Sequence, residues 1–328
     1  MTATSASTPS VSVVVATRNR AHLLPRLVAA LAAQTGVDGL EVVVVDDAST
    51  DDTPAVLERL AGSASIRLVT RRREIAGGAA TARNDGWRSA VGDVVLFTDD
   101  DCVPQPGWAA RLVAELDEAD VVQGRTVPAP GQTQDLGPFS HTIEVTSEAG
   151  EYETCNMAYR RPVLEAVGGF GEEFRYPYGE DTDLAWRAKA AGFRTAFAAE
   201  AVVHHDVRPS HFGTYLRDRR RREGMVLTMR NHPNLRRRLW GGLFLHPSHA
   251  AALSVAVTGV AAARQRTPVR MAMAAASGGW YAWNCRQTRP RPRRRVAWLG
   301  VVPAALVADL YETAVVVRAA IRYRTPVV

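Results

Sequence analysis

Hydrophobic and polar positions alternate in blocks along the first two thirds of the chain. Short apolar runs rich in β-branched residues are separated by longer stretches with helical spacing, a pattern typical of a sheet built from crossover units. The first two runs are nearly continuous valine, which indicates parallel strands covered on both faces. Strands are predicted over Val11–Thr17, 41–47, 66–70, 93–99, 121–127 and 194–204. We therefore expect an α/β fold with helices on both faces of the sheet.

Helical spacing marks the segments between these runs and most of the last third of the chain. Residues 21–34 form one predicted helix, and Pro54 suits the first turn of the next. After residue 206 an arginine-rich helical stretch, 215–230, leads to apolar segments separated by basic ones. The apolar segments are 239–263, 271–285 and 296–308, and the basic run 286–295 separates the last two. We expect a flexible leader over 1–10, an α/β domain over 11–210 and a basic, mainly helical region over 211–328.

Charge divides the chain at the same place. The 328 residues carry a formal net charge of +6. Residues 1–206 hold 18 basic and 30 acidic side chains, whereas residues 207–328 hold 22 basic and 4 acidic ones. An acidic front and a basic tail indicate different partners. The three cysteines, Cys102, Cys155 and Cys285, are too few for a disulfide framework, which indicates a reducing cytoplasmic compartment.

Several familiar motifs are missing from the chain. A GxGxxG turn does not follow the first strand, and no GxxxxGK[ST] loop occurs, so dinucleotide redox chemistry and P-loop hydrolysis both lose support. HExxH, CxxC pairs and GxSxG are absent as well. Because ligands of open α/β sheets collect beyond the carboxyl ends of the strands, the chemistry should lie in the polar clusters found there.

Three consecutive aspartates, Asp99, Asp100 and Asp101, follow the buried run that predicts the fourth strand. Three adjacent carboxylates cannot comfortably all be ionised unless a cation neutralises them. Oxygen ligands of this kind suit Mg²⁺ or Mn²⁺. The alternative is an acidic turn that caps the helix starting near Pro106. The buried strand before the aspartates favours the metal site.

Two further acidic motifs have both a structural and a functional interpretation. Asp47 and the polar residues after it suit a helix N-cap, but capping does not explain a carboxylate pair, Asp46 and Asp47, at the end of an all-valine strand. Glu180 and Asp181 open a predicted helix, where the helix dipole stabilises carboxylates. A helix start also supplies the ionised, well-held carboxylate that a general base requires.

Taken in order, these residues resemble the inverting family-two glycosyltransferases, which have the GT-A nucleotide-sugar fold. Six separated blocks carry the resemblance, among them VSVVVATRNR, EVVVVDDASTDDT and GDVVLFTDDDC. The blocks lie at 11–20, 41–53, 77–87, 92–108, 155–174 and 178–205. A single block would be weak support, but six in the right order are specific.

The resemblance implies roles for the donor side of the site. Thr17, Asn19 and Asp47 would line the nucleotide pocket, with Asp47 facing the base. Gly78, Arg83 and Asn84 match the segment that borders the nucleotide and the acidic motif. Cys155 and Asn156 would belong to the strand that flanks the donor sugar. Ala48 departs from the family pattern, because glycine is common there, and so does Gly171, where aspartate is common.

The resemblance also implies a metal site and a base. Asp99 and Asp101 match the DxD pair, with Asp100 between them beside the donor. Asp181 matches the catalytic base, and Glu180 its neighbour near the acceptor. His205, or His204 in its place, would complete the metal site.

The expected activity is therefore metal-dependent, inverting transfer of a sugar from a nucleotide-sugar donor to a hydroxyl acceptor, which could be a glycan, a lipid-linked molecule or a small molecule. Mn²⁺ or Mg²⁺ would stabilise the departing diphosphate. A sugar nucleotidyltransferase is the first alternative, although the chain lacks a glycine-rich basic phosphate loop after the first strand. A non-catalytic membrane scaffold with the same fold is the second.

The basic C-terminal region suggests a membrane partner. A bilayer-spanning helix needs about 20 apolar residues, and segment 239–263 is long enough but is weakened by histidine, proline and glycine. Apolar segments, tryptophans and arginine clusters together are typical of monotopic helices on an anionic leaflet. We expect a peripheral or monotopic position at the inner face of the cell membrane; a helical subdomain packed on the catalytic domain is the alternative. Nucleic acid is not expected as a partner, because no recognisable nucleic-acid module accompanies the arginines.

Overall fold

The structure is a computed structural model that describes residues 11–133, 137–288 and 298–328. The flexible leader expected at 1–10 lies outside the described residues, as does most of the basic run 286–295. Two compact units divide the described chain. The first contains residues 11–133 and 142–206, and the second contains 137–141 and 207–328.

The first unit is built on an eight-stranded sheet with the order β3-β2-β1-β4-β7-β6-β8-β5. Strands β1 to β4 are parallel where they pair, β7 is antiparallel to both β4 and β6, and β8 is parallel to β6. The strands are β1 Val11–Thr17, β2 Glu41–Asp46, β3 Arg67–Arg72, β4 Val94–Thr98, β5 Cys102–Pro104, β6 Val121–Pro128, β7 Asn156–Arg160 and β8 Thr195–His205.

Helices pack on both faces of this sheet. Because side chains alternate along a strand, Val13 and Val15 of β1 join one core, while Val14 joins the other. Leu27 from α1 contributes to the first core and Leu184 from α6 to the second. The helices are α1 Leu24–Ala32, α2 Thr53–Ser63, α3 Ala79–Ser89, α4 Trp108–Glu115, α5 Arg161–Val167 and α6 Glu180–Ala190.

The predicted α/β fold with helices on both faces is confirmed, and all six predicted strands are present with small changes at their ends. The apolar pattern did not predict β5 or β7. Strand β5 has only three residues and ends in Pro104, and it pairs antiparallel with the end of β8. The sheet is therefore mixed rather than purely parallel.

The second unit is helical, as predicted. The expected helix over 215–230 is interrupted by a 3-10 turn at Arg220–Arg222. Ala251, Tyr281 and Cys285 belong to a small apolar core of this unit. Its helices are α7 Phe212–Arg219, α8 Glu223–Asn231, α9 Pro247–Ala262, α10 Thr267–Thr288 and α11 Trp298–Tyr323.

Among the described residues, one helical segment is long and apolar enough to cross a membrane. It is Gly300–Tyr323 of α11, with a mean hydropathy of 1.6, and 39% of its most apolar stretch is buried within the protein. Helix α9 is apolar but shorter.

Candidate active site

The aspartate triplet lies where the carboxyl ends of β1 and β4 meet. Both strands run in the same direction, so Thr17 at the end of β1 reaches the residues that follow β4. The Thr17 hydroxyl donates a hydrogen bond of 2.8 Å to Oδ2 of Asp100. Burial and the neighbouring charge of Asp101 raise the pKa of Asp100 to about 7. Negative charge is therefore in excess at this edge of the sheet.

Asp101 and His205 face each other at the start of β5 and the end of β8. Oδ1 of Asp101 lies 3.5 Å from Nε2 of His205. Nδ1 of His205 lies 2.8 Å from the carbonyl oxygen of Asp206. A carbonyl oxygen only accepts, so Nδ1 carries a proton, and in the neutral imidazole Nε2 is an acceptor turned towards a carboxylate. Two ligand atoms at this distance could form half of a cation site, with the imidazole oriented by its second nitrogen.

The pairing of β5 with β8 adds a cysteine to this cluster. Cys102 is the register partner of His205, and ligand atoms of Asp101, Cys102 and His205 all lie within 4.8 Å of one another. Burial raises the pKa of the Cys102 thiol well above its usual value, so the sulfur is a weak ligand. His204 is turned elsewhere, with Nδ1 2.9 Å from Nε2 of Gln105. The structure thus places His205, not His204, beside the aspartates.

Arg83 joins the aspartate triplet to the start of α6. Its guanidinium donates one hydrogen bond of 2.8 Å to Oδ1 of Asp99 and another of 2.9 Å to Oε1 of Glu180. Burial acts to lower the pKa of Arg83, but these two carboxylates raise it above its usual value. A permanent cation therefore holds together two acidic motifs that lie about 80 residues apart in the sequence.

The first turn of α6 presents two carboxylates. Gly179 has a φ of 93°, a left-handed conformation that favours glycine, and it turns the chain into the helix. Burial raises the pKa of Asp181, although the backbone N–H of Thr182 donates a 2.8 Å hydrogen bond to its Oδ1. Burial and the charge of Asp181 raise the pKa of Glu180 to about 7. A carboxylate with a raised pKa is a stronger base, which suits Asp181 for proton abstraction.

A third carboxyl group interacts with this pair and was missed in the sequence. Burial, with a contribution from the charge of Asp181, raises the pKa of Glu153 to about 7. Nε2 of Gln123 donates a hydrogen bond of 2.9 Å to Oε2 of Glu153. Glu153 stands in the segment before β7, outside any motif, so no sequence signal distinguished it from a surface glutamate.

Asp47 holds the loop that leads into α3. Its two carboxylate oxygens accept hydrogen bonds of 2.8 Å from the backbone N–H groups of Gly77 and Gly78. Arg73 also contacts it, with Nε 3.0 Å from Oδ1. Gly78 has a φ of 89° and immediately precedes the helix. Asp47 therefore shapes the wall of the site through this loop.

The loop after β1 is tied to the loop after β2. Asn19 has a φ of 54°, and its Oδ1 accepts a hydrogen bond of 2.8 Å from the backbone N–H of Thr50. The Asn19 N–H donates in turn to Oγ of Ser49 at 2.8 Å. Ala48 also adopts a left-handed φ, of 56°, which explains why glycine is common at this position in the family that the sequence resembles.

The side-chain amides of two predicted site residues, Asn84 and Asn156, form hydrogen bonds within the protein. Nδ2 of Asn84 donates to the carbonyl of Phe170 and to Glu172, and its Oδ1 accepts from Trp87 and from the N–H of Phe170. Asn156 is fully buried, and its amide binds the carbonyls of Arg125 and Ala201 and the indole N–H of Trp108. Cys155 is likewise buried. These residues support the site by positioning its walls.

Sequence comparison places the chain among known glycosyltransferases. The family described as "Glycosyl transferase family 2" matches residues 12–171, and "Glycosyltransferase like family 2" matches residues 140–224. A pre-mycofactocin glycosyltransferase of Mycobacterium tuberculosis is 32% identical over 222 residues, which cover 63% of this chain and 44% of the relative. Glycosyltransferase AglE of Haloferax volcanii is 29% identical over 218 residues, covering 64% of this chain and 70% of the relative. The chain thus spans less than half the length of the first relative.

Structural comparison identifies the fold. The mannosyltransferase PcManGT of Pyrobaculum calidifontis, solved in complex with GDP-Man and Mn²⁺, superposes with a TM-score of 0.54. The two are 22% identical, and the alignment covers 96% of this chain and 87% of the other. The mixed sheet described above is therefore a GT-A fold. Since both family-2 matches, the glycosyltransferase relatives and this fold agree, the chain belongs to glycosyltransferase family 2.

Proposed function

We propose that the chain is a metal-dependent glycosyltransferase that moves a sugar from a nucleotide-sugar donor to a hydroxyl acceptor with inversion at the anomeric carbon. One observation carries the proposal. Arg83 bonds both Asp99, beside the candidate metal site, and Glu180, beside the candidate base Asp181. Arg83 thereby links the metal site, which would stabilise the leaving diphosphate, to the base, which would activate the nucleophile. Both groups lie at one edge of the sheet.

A divalent cation fits the residues at the end of β4. Carboxylates of Asp99 and Asp101 with Nε2 of His205 would hold Mn²⁺ or Mg²⁺, since hard oxygen ligands dominate the set. The PcManGT complex, which has the same fold, contains Mn²⁺. When bound, such an ion neutralises the charge that develops on the diphosphate as it leaves.

The nucleotide would lie against the loops that follow β1 and β2. Thr17 orients Asp100 towards this edge, and Asn19 fixes the loop after β1. Asp47 and Gly78 form the facing wall, because the Asp47 carboxylate holds the Gly78 N–H. Asn84 acts at a distance, through the segment at Phe170 that it anchors.

Asp181 would take the proton from the acceptor hydroxyl. The acceptor oxygen then attacks the anomeric carbon while the bond from that carbon to the diphosphate oxygen breaks on the opposite side. A single displacement of this kind inverts the configuration. Burial raises the pKa of Asp181, so the carboxylate is a better base than an exposed aspartate. Glu180 remains beside it, fixed by Arg83.

The acceptor would be a hydroxyl of a glycan, of a lipid-linked molecule or of a small molecule, reached from the cytoplasmic face of the membrane. The basic composition of residues 207–328 and the apolar helix α9 support a membrane-associated enzyme. An anionic leaflet is the surface that such a charge favours.

Asp181→Asn tests the proposal. We expect transfer to fall by about 10³-fold, because the amide cannot accept the proton, whereas donor binding measured by thermal shift with Mn²⁺ stays nearly unchanged. Asp183→Asn is the matched control: its carboxylate lies two residues further along α6 and is paired with Arg187 at 2.7 Å. This control should lose stability and keep most of the transfer activity. Undiminished transfer by Asp181→Asn would exclude it as the base. Pyrophosphate release from a nucleoside triphosphate would instead indicate a nucleotidyltransferase.

A further inference from the structure

The positive charge of the C-terminal region is concentrated in one stretch. Residues 224–308 contain 13 arginines and neither aspartate nor glutamate. The four acidic residues of 207–328 all lie outside this stretch, and each is bound by a partner within 207–328. The contacts are Asp218 with Arg221 at 3.3 Å, Glu223 with Arg322 at 2.8 Å, Asp309 with Tyr281 at 2.8 Å and Glu312 with Arg219 at 3.1 Å. Acidic groups of this region therefore leave most of the arginine charge uncompensated.

Helices α9 and α10 form a hairpin, residues 247–288, that exposes apolar side chains. The two helices pack together near Thr258 and Ser277, whose hydroxyls are 2.9 Å apart. Val257 and Val260 on α9 are 59% and 77% exposed, and with Leu253 they fall on one stripe of that helix. On α10 the exposed large apolar residues are Val269, Met271, Trp280 and Trp283. Burying such side chains gains about 1.5–3 kcal/mol each when they are fully covered.

Three arginines lie at the turn of the hairpin, near Val260 and Val269 in the sequence. Arg264 and Arg266 lie in the turn between the helices, Arg270 lies in the first turn of α10, and all three are exposed. Trp280 and the exposed Trp240 stand near each other, with ring centroids 6.4 Å apart. Exposed valine, methionine and tryptophan with neighbouring arginines and no carboxylate suit the boundary between lipid head groups and acyl chains.

We propose that the α9–α10 hairpin docks on an anionic bilayer surface and lies within the head-group region without crossing the membrane. The inference deepens the proposed function and rests on it for the membrane-bound setting. Exposed apolar side chains enter the boundary of the acyl chains, and Arg264, Arg266 and Arg270 contact lipid phosphates. Helix α9 has 16 residues, or about 24 Å, which is shorter than the hydrocarbon core of about 30 Å.

Helix α11 fits a core position better than a membrane span. Its two acidic residues, Asp309 and Glu312, are 3% and 2% exposed. The Tyr281 hydroxyl donates to Asp309, and Glu312 is paired with Arg219 and Arg222. Inserting α11 into lipid would break these contacts and leave two carboxylates without their partners. The hairpin needs no such rearrangement, because the side chains it offers are already exposed.

Vesicle flotation of the full chain tests the docking surface. The probes are vesicles of phosphatidylglycerol and phosphatidylcholine in equal parts, and vesicles of phosphatidylcholine alone. We expect V260D combined with W283D to weaken binding to the anionic vesicles by at least about tenfold. R264Q, R266Q and R270Q together should weaken it by about 100-fold, and should change binding to phosphatidylcholine little.

Matched controls separate this surface from its alternatives. V91D alters a valine that is 60% exposed in the first unit, and I321D alters a residue of α11 that is 75% exposed; neither should weaken flotation. If I321D weakens binding and V260D with W283D does not, the membrane contact belongs to α11 and the proposal is wrong. A dimer that the hairpin variants dissociate, or binding of RNA in place of vesicles, would also overturn it.

Solution activity distinguishes this inference from the proposed function. Transfer to a water-soluble acceptor, measured without vesicles, should be the same in the wild type and in V260D with W283D. If the wild type floats and transfers no sugar, the function fails while the docking surface stands. If the wild type transfers sugar and the hairpin substitutions do not change flotation, the docking proposal is wrong and the proposed function stands.

Discussion

The two units of the chain use buried charge in opposite ways. In the α/β unit, one arginine, Arg83, bonds Asp99 and Glu180, and further carboxyl groups lie nearby. In the helical unit one carboxylate, Glu312, faces Arg219 and Arg222. Negative charge is in excess at the first site and positive charge at the second. An excess of carboxylates suits the cation site proposed above, whereas an excess of arginines around one carboxylate only holds helices together.

The largest expected effect is on the helical unit. Burial opposes ionisation of Glu312, but Arg222, His249 and Arg219 hold its pKa well below the usual value. Glu312→Gln would leave the two arginines without their shared carboxylate and should lower the free energy of unfolding by about 3–5 kcal/mol. Chemical denaturation of the full chain measures this, and transfer to a soluble acceptor below the unfolding range should persist.

Glu223→Gln is the matched control for that substitution. Its carboxylate pairs with Arg322, which is 59% exposed, so solvent screens the pair and its loss should cost less than about 1 kcal/mol. Equal losses in the two variants would mean that the buried cluster is no more important for the helical unit than an exposed pair.

In the α/β unit, substitution of the buried Arg83 should affect glycosyl transfer. Arg83→Lys keeps the charge, but a lysine cannot offer the fixed fork that bonds Asp99 and Glu180 together. We expect transfer to fall about 100-fold, equivalent to about 2.7 kcal/mol, and the apparent Mn²⁺ affinity to weaken. Arg88→Lys, on an exposed residue of the same helix, should leave both within about twofold. Normal transfer by Arg83→Lys would show that the bridge does not organise the site.

Most of the α/β fold could be predicted because its signals are local. The valine runs of β1 and β2 are buried on both faces, and their pattern predicted the two strands almost to the residue. Strand β5 has three residues and a proline, so neither its length nor its composition distinguishes it from a loop. Its existence depends on pairing with β8, about 100 residues away.

Long-range pairing also explains which parts of the site the sequence left open. The sequence predicts the three aspartates at a strand end. It does not decide between His204 and His205, because that depends on which of them faces Cys102 across the sheet. The hydrogen bonds from Gly77 and Gly78 to Asp47 could not be inferred, because they join segments about 30 residues apart. The resemblance implies that these residues belong to a site, and the fold determines which groups they contact.

The pH dependence of stability should differ between the two units. Burial is the main reason that the pKa of Glu153 is raised from 4.5 to about 7. Its contribution to the free energy of unfolding is therefore fully present below pH 4.5 and is lost as pH rises through about 7. Glu312 has a lowered pKa, so its contribution is present above 4.5 and is lost as pH falls below that value. The units should therefore lose stability in opposite directions.

Glu153→Gln tests whether Glu153 causes the loss of stability of the α/β unit at high pH. The amide resembles the protonated acid, so the variant should be more stable than the wild type by about 2 kcal/mol at about pH 8 and similar to it at about pH 4. Chemical denaturation at the two pH values measures the difference. Glu165→Gln, on an exposed residue of α5, should show no such divergence. A variant less stable at both values would mean that ionised Glu153 is stabilised in the fold.

The smallest expected effect separates backbone strain from charge. Both units hold left-handed residues other than glycine: Ala48 in the loop after β2 has a φ of 56°, and Arg324 beyond α11 has a φ of 51°. Ala48→Gly should raise the free energy of unfolding by about 0.5–1 kcal/mol, because relief of the left-handed strain outweighs the greater unfolded freedom of glycine. Ala29→Gly, at an exposed position inside α1, should lower it by about 1 kcal/mol. If both variants lose stability alike, the conformation of Ala48 carries no strain and the glycine common there in the family serves the ligand instead.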